Sequence, residues 1–351
     1  MITEKTVCVT GASGFIAAHV VKQLLEKGYK VKGTVRSLKD RSKYLYLDNL
    51  HGAGENLELV EADLLKEGSF DEAVKNCEYV VHTASPYIID VKDSQKDLVD
   101  PAVKGTLNVL RSCSNVASIK RVILTSSFAA ITDDPANDKV FSEEDWNEKS
   151  NLNRNPYYYS KKMAEKAGWD FINEQNTSFD LVTINPGMVI GPSLGSALNS
   201  SNKILIDMMT GGFPGIINLN WGFVDVRDVA AAHILAMENP SAKGRYLCAN
   251  ESLTMKDVID YLNKGVYSHY KLPIIDLTSW FGNKLIYLFS YFQKIGTGSY
   301  LRSHIGRTIR FNNSKIKKDL GIKFISFEES IKETIPDLIY WGHLEKMSKP
   351  L

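Results

Sequence analysis

A phenol and an ammonium group stand four positions apart in this chain, at Tyr157 and Lys161. Positions i and i+4 lie on one face of a helix, so a helical segment makes these two side chains neighbours. A nearby positive charge lowers the pKa of a phenol from its free value of roughly 10. The pair therefore predicts general acid–base chemistry. A second pair with the same spacing, Tyr158 and Lys162, is its rival.

The residues that follow on each helix face favour the first pair. The face of Tyr157 and Lys161 continues with small or apolar side chains, at Ala164, Gly168 and Phe171. The face of Tyr158 and Lys162 stays polar through Glu165, until Trp169. The first face is therefore predicted to pack on a sheet near a cofactor.

A glycine loop near the start of the chain offers a place for a nucleotide. An apolar strand leads into Gly11, Ser13 and Gly14, and an amphipathic helix begins with Phe15, Ile16 and Ala17. Gly11 permits a tight turn, and Gly14 lets the backbone approach a pyrophosphate at the helix N-terminus. Between a first strand and a first helix this pattern predicts dinucleotide binding, with a merely structural turn as the alternative.

The residues after the second strand distinguish the two nicotinamide cofactors. An NAD site is expected to carry a carboxylate there, whereas this chain has Arg36, followed by Lys39, Arg41 and Lys43. Guanidinium groups pair well with a 2′-phosphate, so we predict NADP(H), with Arg36 as the main determinant and Lys43 as the second. A solvated basic turn is the alternative. After the third strand, Asp63 either accepts from the adenine amino group or caps a helix.

Two serines end the fifth apolar run. Ser126 and Ser127 follow Arg121–Thr125, and ligands of open parallel sheets bind outside the carboxyl ends of the strands. The hydroxyl of Ser127 is thus predicted to bond a substrate carbonyl, or else to tie down its own turn. No histidine–acid set accompanies it, so acyl transfer is not predicted.

Strand-like runs alternate with helical patterns through the first half. The apolar runs are Thr6–Thr10, Lys30–Val35, Leu57–Glu61, Tyr79–Thr83, Arg121–Thr125 and Phe179–Asn185. The pattern predicts an α/β protein with a Rossmann-type, doubly wound parallel sheet and a smaller, mostly C-terminal substrate-binding domain. The NADP-binding domain is predicted to comprise residues 1–190 and about 222–250. The substrate-binding domain is predicted to comprise about 191–221 and 251–345.

Composition narrows the class further. The 351 residues include 42 Lys and Arg and 41 Asp and Glu. The net charge is therefore too small to predict binding to nucleic acid or to an anionic membrane. Four cysteines, at Cys8, Cys77, Cys113 and Cys248, lack metal-ligand spacing, and neither a metal nor a disulfide framework is predicted. The N-terminus enters a strand at once, without a signal peptide or transit segment, which favours a cytoplasmic protein, and we expect a monomer or a homodimer. The apolar run Trp280–Phe292 predicts a helix over the substrate domain or, alternatively, a membrane-surface helix, without stable insertion.

The motifs together resemble the extended short-chain dehydrogenase/reductases. The resemblance extends from residue 5 to about 335 and rests on eight stretches: residues 10–17, 35–36, 62–64, 82–86, 125–127, 157–161, 185–192 and 223–230. It is closest to the branch of dihydroflavonol, cinnamoyl-CoA and methylglyoxal/aldehyde reductases, and residues 160–167 look most like the broad aldehyde/ketone reductases. It implies Ser127, Tyr157 and Lys161 as a catalytic trio. It also implies cofactor contacts by Leu64, Thr83, Ala84, Ser85, Pro186 and Val189.

The resulting hypothesis is an NADPH-dependent reduction of an apolar or aromatic aldehyde or ketone. Candidate pocket residues, each of which could equally belong to the core, are Tyr87, Phe128, Thr132, Met188, Met208 and Trp221, with Met209 and Phe213 also considered. Asn108 either holds a relay water or packs helices. Three alternatives stay open: a sugar-nucleotide epimerase or dehydratase, a 3β-hydroxysteroid dehydrogenase-like enzyme at a membrane surface, and a noncatalytic NADP sensor.

Overall fold

Short apolar strands form the centre of the molecule. The computed structural model describes residues 5–85, 91–136 and 138–346. The strands are β1 Thr6–Thr10, β2 Lys30–Val35, β3 Leu57–Glu61, β4 Tyr79–His82, β5 Arg121–Thr125, β6 Val140–Phe141, β7 Asp180–Pro186, β8 Met188–Ile190, β9 Ile216–Ile217, β10 Asn220–Asp225, β11 Gly244–Cys248, β12 Glu251–Thr254, β13 Asp276–Leu277 and β14 Arg310–Phe311.

Helices follow most of the strands and cover both faces of the main sheet. They are α1 Phe15–Glu26, α2 Leu45–Asp48, α3 Ala53–Asn56, α4 Asp71–Val74, α5 Asp100–Ser114, α6 Pro156–Glu174, α7 Ser200–Met209, α8 Val226–Glu238, α9 Met255–Lys264, α10 Trp280–Phe289, α11 Ile295–His304, α12 Ser314–Leu320 and α13 Phe327–Tyr340. A π-helical turn, Gln95–Val99, leads into α5, and 3₁₀ turns occupy Arg41–Tyr44, Phe128–Ala130 and Ser290–Phe292.

Seven strands pair in parallel to form the main sheet, in the order β11–β7–β5–β4–β1–β2–β3. The chain winds outward from β1 in both directions, so the order reverses between β1 and β4. In such sheets the reversal opens a crevice at the carboxyl ends of the strands, where ligands bind. Here that crevice lies beside Thr10, which is in register with His82.

Strand β1 shows why the sheet is buried on both sides. Its side chains alternate between faces: Val7 and Val9 join one hydrophobic cluster, and Cys8 joins another. The first cluster lies under α1 and α8, which pack against each other, and the second lies under α4 and α5. Each fully buried aliphatic side chain of this kind contributes about 1.5–3 kcal/mol to folding.

The C-terminal part of the chain has a core of its own. Strands β8, β10 and β12 form a small sheet, and α7, α9 and α13 pack around it. Thr254 and Asp257 form the capping box predicted at the start of α9. The division into two domains stays a prediction.

The predicted doubly wound α/β class is confirmed, and the six predicted strands match β1–β5 and β7 to within a residue at either end. The seventh strand of the main sheet, β11, was missed. Its sequence, Gly-Arg-Tyr-Leu-Cys, carries a charge at Arg245 that does not look like a strand buried on both faces. In the structure this charge is buried because Arg245 forms an ion pair with Glu165 of α6.

Candidate active site

The glycine loop between β1 and α1 is tied to the ends of both neighbouring strands. Gly11 has a φ of 66°, and a Cβ built there would lie 3.2 Å from the Cβ of Ala84. The Gly11 N–H donates to Thr34 Oγ1 of β2 at 3.0 Å. The amides of Thr83 and Ala84 both donate to Thr10 Oγ1, at 3.1 and 3.0 Å. A side chain at position 11 would crowd Ala84, and the positive φ also favours glycine there.

The amino end of α1 opens onto the same crevice. Gly14 is its exposed N-cap residue and makes no side-chain capping bond, and its own amide donates to Gly11 O at 2.8 Å. A helix N-terminus of this kind presents backbone N–H groups and a positive dipole end to an anion. The loop therefore fits a pyrophosphate.

The basic residues after β2 differ in whether they already form an ion pair. Arg41 donates from Nε and Nη2 to Asp48, at 3.1 and 3.0 Å, and Lys43 lies 3.5 Å from Asp40. Arg36 is exposed at the end of β2 and has no hydrogen-bond or ion-pair partner in the described part of the chain. Its guanidinium is thus the one in this turn that fits an incoming phosphate without breaking an existing pair.

Asp63 lies at the end of β3, where the sequence predicted it. It is exposed, and Oδ1 accepts from the amide of Leu65 at 2.9 Å. Its carboxylate therefore closes a local turn and begins no helix.

Lys161 lies on α6 and is buried beside the carboxyl ends of the strands. Its Nζ donates to Ser85 Oγ at 3.0 Å and lies 5.8 Å from the centre of the half-buried Tyr157 ring. Burial lowers the pKa of the Lys161 ammonium group to about 8. An ammonium group with that pKa exchanges its proton close to neutral pH, beside a phenol.

Ser127 follows β5 and faces the same edge. Its Oγ accepts from the amide of Ala129 at 3.1 Å, so the hydroxyl does tie down its own turn. A hydroxyl has two acceptor lone pairs and one proton, so accepting this bond leaves the proton for a substrate oxygen. The two functions considered for Ser127 are therefore compatible.

A buried carboxylate holds the segment that carries Ser127. Glu165 on α6 is 1% exposed and accepts hydrogen bonds from side chains of three strands: Ser126 Oγ after β5, Thr183 Oγ1 (3.2 Å) and Asn185 Nδ2 (2.8 Å) of β7, and Arg245 Nε (2.6 Å) of β11. Asn185 Nδ2 is also 3.2 Å from the carbonyl oxygen of Ser127. This cluster, which we call the Glu165 network, fixes the backbone on both sides of the Ser127 side chain.

Comparisons with known proteins agree with this geometry. Residues 7–249 match the model of the NAD dependent epimerase/dehydratase family. The chain belongs to this family, the extended short-chain dehydrogenase/reductases. It is 48% identical over 277 residues to a cinnamoyl-CoA reductase, CAD2, of Medicago truncatula (76% of this chain and 82% of that one). It is 39% identical to cinnamoyl-CoA reductase 1 of Petunia hybrida (98% and 95%).

Among solved structures, the chain is similar to the yeast methylglyoxal/isovaleraldehyde reductase Gre2 complexed with NADPH. The TM-score is 0.80 at 33% sequence identity, over 96% of this chain and 99% of that chain. The resemblance to the extended short-chain dehydrogenase/reductases and their reductase branch is thereby confirmed.

The second side of α6, which carries Lys162 and Glu165, is polar in sequence but buried in the structure. Lys162 is 9% exposed and Glu165 1%. The side fails to face water because β11 brings Arg245 over Glu165, and Arg245 also stacks on Trp146 with 3.8 Å between Cζ and the ring centre. A polar helix face is thus buried because its charge is paired within the sheet.

Tyr158, the rival phenol, packs against α11. Its ring lies 5.5 Å from that of His304 and 6.1 Å from that of Tyr300, and those two rings stack at 4.2 Å. Burial lowers the pKa of His304 to about 3, so this imidazole is neutral at physiological pH. The Tyr157 ring meets Tyr158 edge-on at 6.0 Å, so both phenols border an uncharged aromatic cluster.

Several other predicted residues have roles that the structure makes visible. Asn108 Nδ2 donates to Leu64 O at 3.0 Å, which fits a packing role between α5 and the segment after β3. Pro186 ends β7, and Met188 and Val189 begin β8 at the same edge of the sheet. Phe128 packs edge-on against Phe311 with 5.9 Å between ring centres, and Thr132 is buried nearby in sequence.

Two predicted pocket residues lie in the C-terminal core. Met208 has 0% and Trp221 8% of its surface exposed, and both pack in the cluster around β8, β10 and α13. Met208 has no exposed surface in this structure, and its place in a substrate pocket stays a prediction. Tyr87 lies outside the described residues.

Sequence reasoning missed two groups at the site. Thr10 and His82 are buried side by side, with 2.8 Å between Thr10 Oγ1 and His82 Nδ1, and burial lowers the pKa of His82 to about 3. The Glu165 network was the second. The signal available was a polar residue inside an otherwise apolar strand, at Thr10, His82, Asn185 and Arg245.

Replacing Glu165 by Gln is expected to affect both stability and turnover. Gln keeps the volume but removes the charge that pairs with the buried guanidinium of Arg245, which typically costs about 3–5 kcal/mol in the free energy of unfolding. Because Ser127 then loses its fixed backbone, kcat is expected to fall while the dissociation constant of NADPH stays nearly constant. Chemical denaturation and steady-state kinetics measure the two effects.

Glu148→Gln is the matched control. The Glu148 side chain is 69% exposed and lies 3.7 Å from Lys162, so the same chemical change is expected to cost less than about 1 kcal/mol. Equal effects of the two substitutions would contradict a structural role for the Glu165 network.

Proposed function

We propose that this protein reduces the carbonyl group of an apolar or aromatic aldehyde or ketone with NADPH. The single observation that carries the proposal is Lys161, which is buried against the cofactor edge of the sheet, bonded to Ser85 and next to the Tyr157 ring. Burying an ammonium group costs free energy of folding, so such groups are found mainly where they take part in the chemistry of a site. That the protein is an NADP-dependent oxidoreductase follows from its similarity to reductases, some of them solved with NADPH.

The cofactor fits residues that the structure describes. Gly14 is the exposed N-cap residue of α1, whose amino end suits a pyrophosphate, and Arg36 offers an unengaged guanidinium for a 2′-phosphate. NADPH, when bound, supplies the hydride. The chain's own residues then have to orient the carbonyl, stabilise the oxygen as it gains charge, and deliver a proton to it.

Tyr157 delivers the proton. Its hydroxyl donates to the substrate oxygen while negative charge develops there, and the ammonium group of Lys161 stabilises the phenolate that remains. Ser127 Oγ donates a second hydrogen bond to the same oxygen. Lys161 also holds the nicotinamide ribose, and Ser85 fixes the direction of its Nζ.

The aromatic cluster beside Tyr157 supports an apolar substrate. Tyr158, Tyr300 and His304 carry no charge near neutral pH where they meet the half-buried phenol, because burial keeps the His304 imidazole neutral. A diphosphate group packed against these rings would lose its hydration, and the rings themselves offer it no positive charge. This argument favours an aldehyde or ketone over a sugar nucleotide.

Arg36→Ala is expected to weaken NADPH binding about 10- to 100-fold and leave NADH binding nearly unchanged, because one charged hydrogen-bonding partner of the 2′-phosphate is lost. Arg41→Ala, five residues away, is the control, since Arg41 already pairs with Asp48. Titration of cofactor fluorescence measures both constants. Parallel losses for NADPH and NADH would contradict the role of Arg36.

The proposed reaction is tested by NADPH consumption against a panel of aldehydes, ketones, flavanonols and CoA thioesters, with NADH as the control. We expect an apolar or aromatic aldehyde or ketone to be reduced with a preference for NADPH. Tightly bound NAD in the purified protein, together with conversion of a sugar nucleotide without net cofactor turnover, would contradict the proposal in favour of an epimerase or dehydratase.

A further inference from the structure

Exposed apolar side chains are concentrated in one short stretch of the chain. Of the 17 large hydrophobic side chains that are exposed in the described part of the protein, 11 lie between residues 274 and 295. We call these 11 the aromatic ridge: Ile274, Ile275, Trp280, Phe281, Leu285, Tyr287, Leu288, Phe289, Tyr291, Phe292 and Ile295. Scattered exposed hydrophobics need no explanation, but a contiguous set of this size marks an interaction surface.

The ridge is held in a fixed position on the protein. Helix α10 buries only a narrow stripe, at Gly282, Ile286 and Ser290, one position per turn. A Cβ at Gly282 would lie 2.2 Å from Leu277 O, so the helix lies flush against the chain beneath it. Most other side chains of this segment are exposed, with Phe281 of α10 78% and Phe292 of the following 3₁₀ turn 86% exposed.

The sequence around the ridge is cationic. No Asp or Glu occurs from residue 277 to 318, a stretch that contains eight Lys and Arg residues. Lys284 and Lys294 are exposed among the ridge side chains. The acidic residue at the edge of the ridge, Asp276, is 2.9 Å from Lys256 and is neutralised by it. The ridge segment, residues 274–295, therefore carries two exposed lysines and no carboxylate other than Asp276.

We propose that the aromatic ridge docks the protein onto the surface of an anionic lipid bilayer. Exposed Trp, Tyr and Phe side chains interleaved with Lys are suited to the interface between lipid headgroups and acyl chains. A two-fold contact with a second copy would bring the same cations together, with no carboxylate in residues 277–318 to pair with them. No helix in the described ranges is long and apolar enough to span a bilayer, so α10 lies in the interface plane.

The ridge adjoins the proposed active site through α11. Ser299 Oγ accepts from the amide of Asn155 at 2.9 Å, at the start of α6, and Tyr300 and His304 pack on Tyr158. A bilayer in contact with the ridge therefore lies one helix away from the aromatic cluster beside Tyr157.

Sedimentation with vesicles tests the proposal. We expect the full-length protein to bind vesicles of phosphatidylcholine containing phosphatidylserine, and to bind phosphatidylcholine alone about 30-fold less, because two lysines lose their anionic partners. Added salt is expected to weaken the binding to anionic vesicles. Lys284→Gln with Lys294→Gln is expected to abolish the difference between the two vesicle types.

Apolar variants test the ridge itself. Phe281→Ser, Leu288→Ser and Phe292→Ser together are expected to lower the partition coefficient about 100-fold with unchanged thermal unfolding and NADPH binding. Leu65→Ser with Tyr340→Ser, at side chains 57% and 78% exposed elsewhere, is the control and is expected to bind vesicles like the wild type.

Three outcomes would overturn the proposal. They are the absence of vesicle binding by the wild type, equal binding to both vesicle types, and a wild-type dimer in solution that the apolar variants convert to monomers. The last would identify the ridge as an interface between copies. None of these outcomes bears on carbonyl reduction, which the substrate panel tests separately.

Discussion

Replacement of Tyr157 by Phe is expected to lower kcat for carbonyl reduction by about 10³-fold or more, with little change in the dissociation constant of NADPH. The substitution removes one hydroxyl and retains the ring, which meets Tyr158 edge-on. General acid catalysis typically contributes about 10²–10⁴-fold, and here the same hydroxyl also bonds the substrate oxygen. Steady-state kinetics and a cofactor titration on the same preparation measure the two quantities.

Tyr158→Phe is the matched control, because it removes the same group one position along the same helix. The Tyr158 ring packs on Tyr300 and His304, so its loss of a hydroxyl is expected to change turnover by less than about tenfold. If Tyr158→Phe abolishes turnover and Tyr157→Phe retains it, the rival pair Tyr158 and Lys162 carries the chemistry.

Lys161→Met is expected to abolish most turnover and at the same time stabilise the protein. The pKa of Lys161 is lowered to about 8 in the folded state, against about 10.4 in an unfolded chain. That difference corresponds to a cost of roughly 3 kcal/mol for keeping the charged group buried at pH 7. Methionine has a similar length and no charge, so it removes the cost together with the hydrogen bond to Ser85.

The pH dependence of the free energy of unfolding identifies the cause of the stability gain expected for Lys161→Met. The folded protein binds fewer protons than the unfolded chain between about pH 8 and 10.4, so the wild-type free energy of unfolding rises with pH in that window. The advantage of Lys161→Met is therefore expected to be largest below pH 8 and to shrink as the pH rises. Chemical denaturation at several pH values measures it.

Lys162→Met provides the comparison for Lys161→Met. Lys162 is buried to the same extent, but its Nζ lies 3.7 Å from Glu148. We expect no stabilisation and no large loss of turnover from this substitution. A stability gain at position 162, or its absence at position 161, would contradict the view that Lys161 bears a burial cost for the sake of the reaction.

Most strands of the main sheet could be predicted from local pattern, including β2 and β3, which carry charged residues. Val7 and Val9 alternate with Cys8 between the two faces of the sheet, and the glycine loop begins where β1 ends. Such strands and loops can be predicted from their own local sequence, because their burial depends on their own composition. The capping box of α9 is recognisable for the same reason, since Thr254 and Asp257 form it with their own backbone.

The Glu165 network could not be predicted from local sequence. Its other members lie 18 to 80 positions from Glu165 in the chain, and each one alone looks like a solvated polar residue. Their burial depends on pairs that form only when α6, β5, β7 and β11 have assembled. The same dependence hid strand β11, whose Arg245 is buried because Glu165 and the carbonyl oxygens of Glu143 and Asp145 accept its hydrogen bonds.

Pocket residues were the least predictable. Methionine and tryptophan in apolar runs pack cores as readily as they line binding sites, and Met208 packs in the C-terminal core with 0% exposure. The aromatic cluster of Tyr158, Tyr300 and His304 joins α6 to a helix about 140 positions later, and no local pattern indicates that contact.

The most direct test of the account is a crystal structure of the protein with NADPH and an unreactive carbonyl analogue. We predict that the Tyr157 hydroxyl lies about 2.6–3.2 Å from the carbonyl oxygen, with Lys161 Nζ at the nicotinamide ribose and Ser127 Oγ bonded to the same oxygen. A Tyr157 hydroxyl turned toward bulk solvent, or lying far from the nicotinamide, would contradict the account.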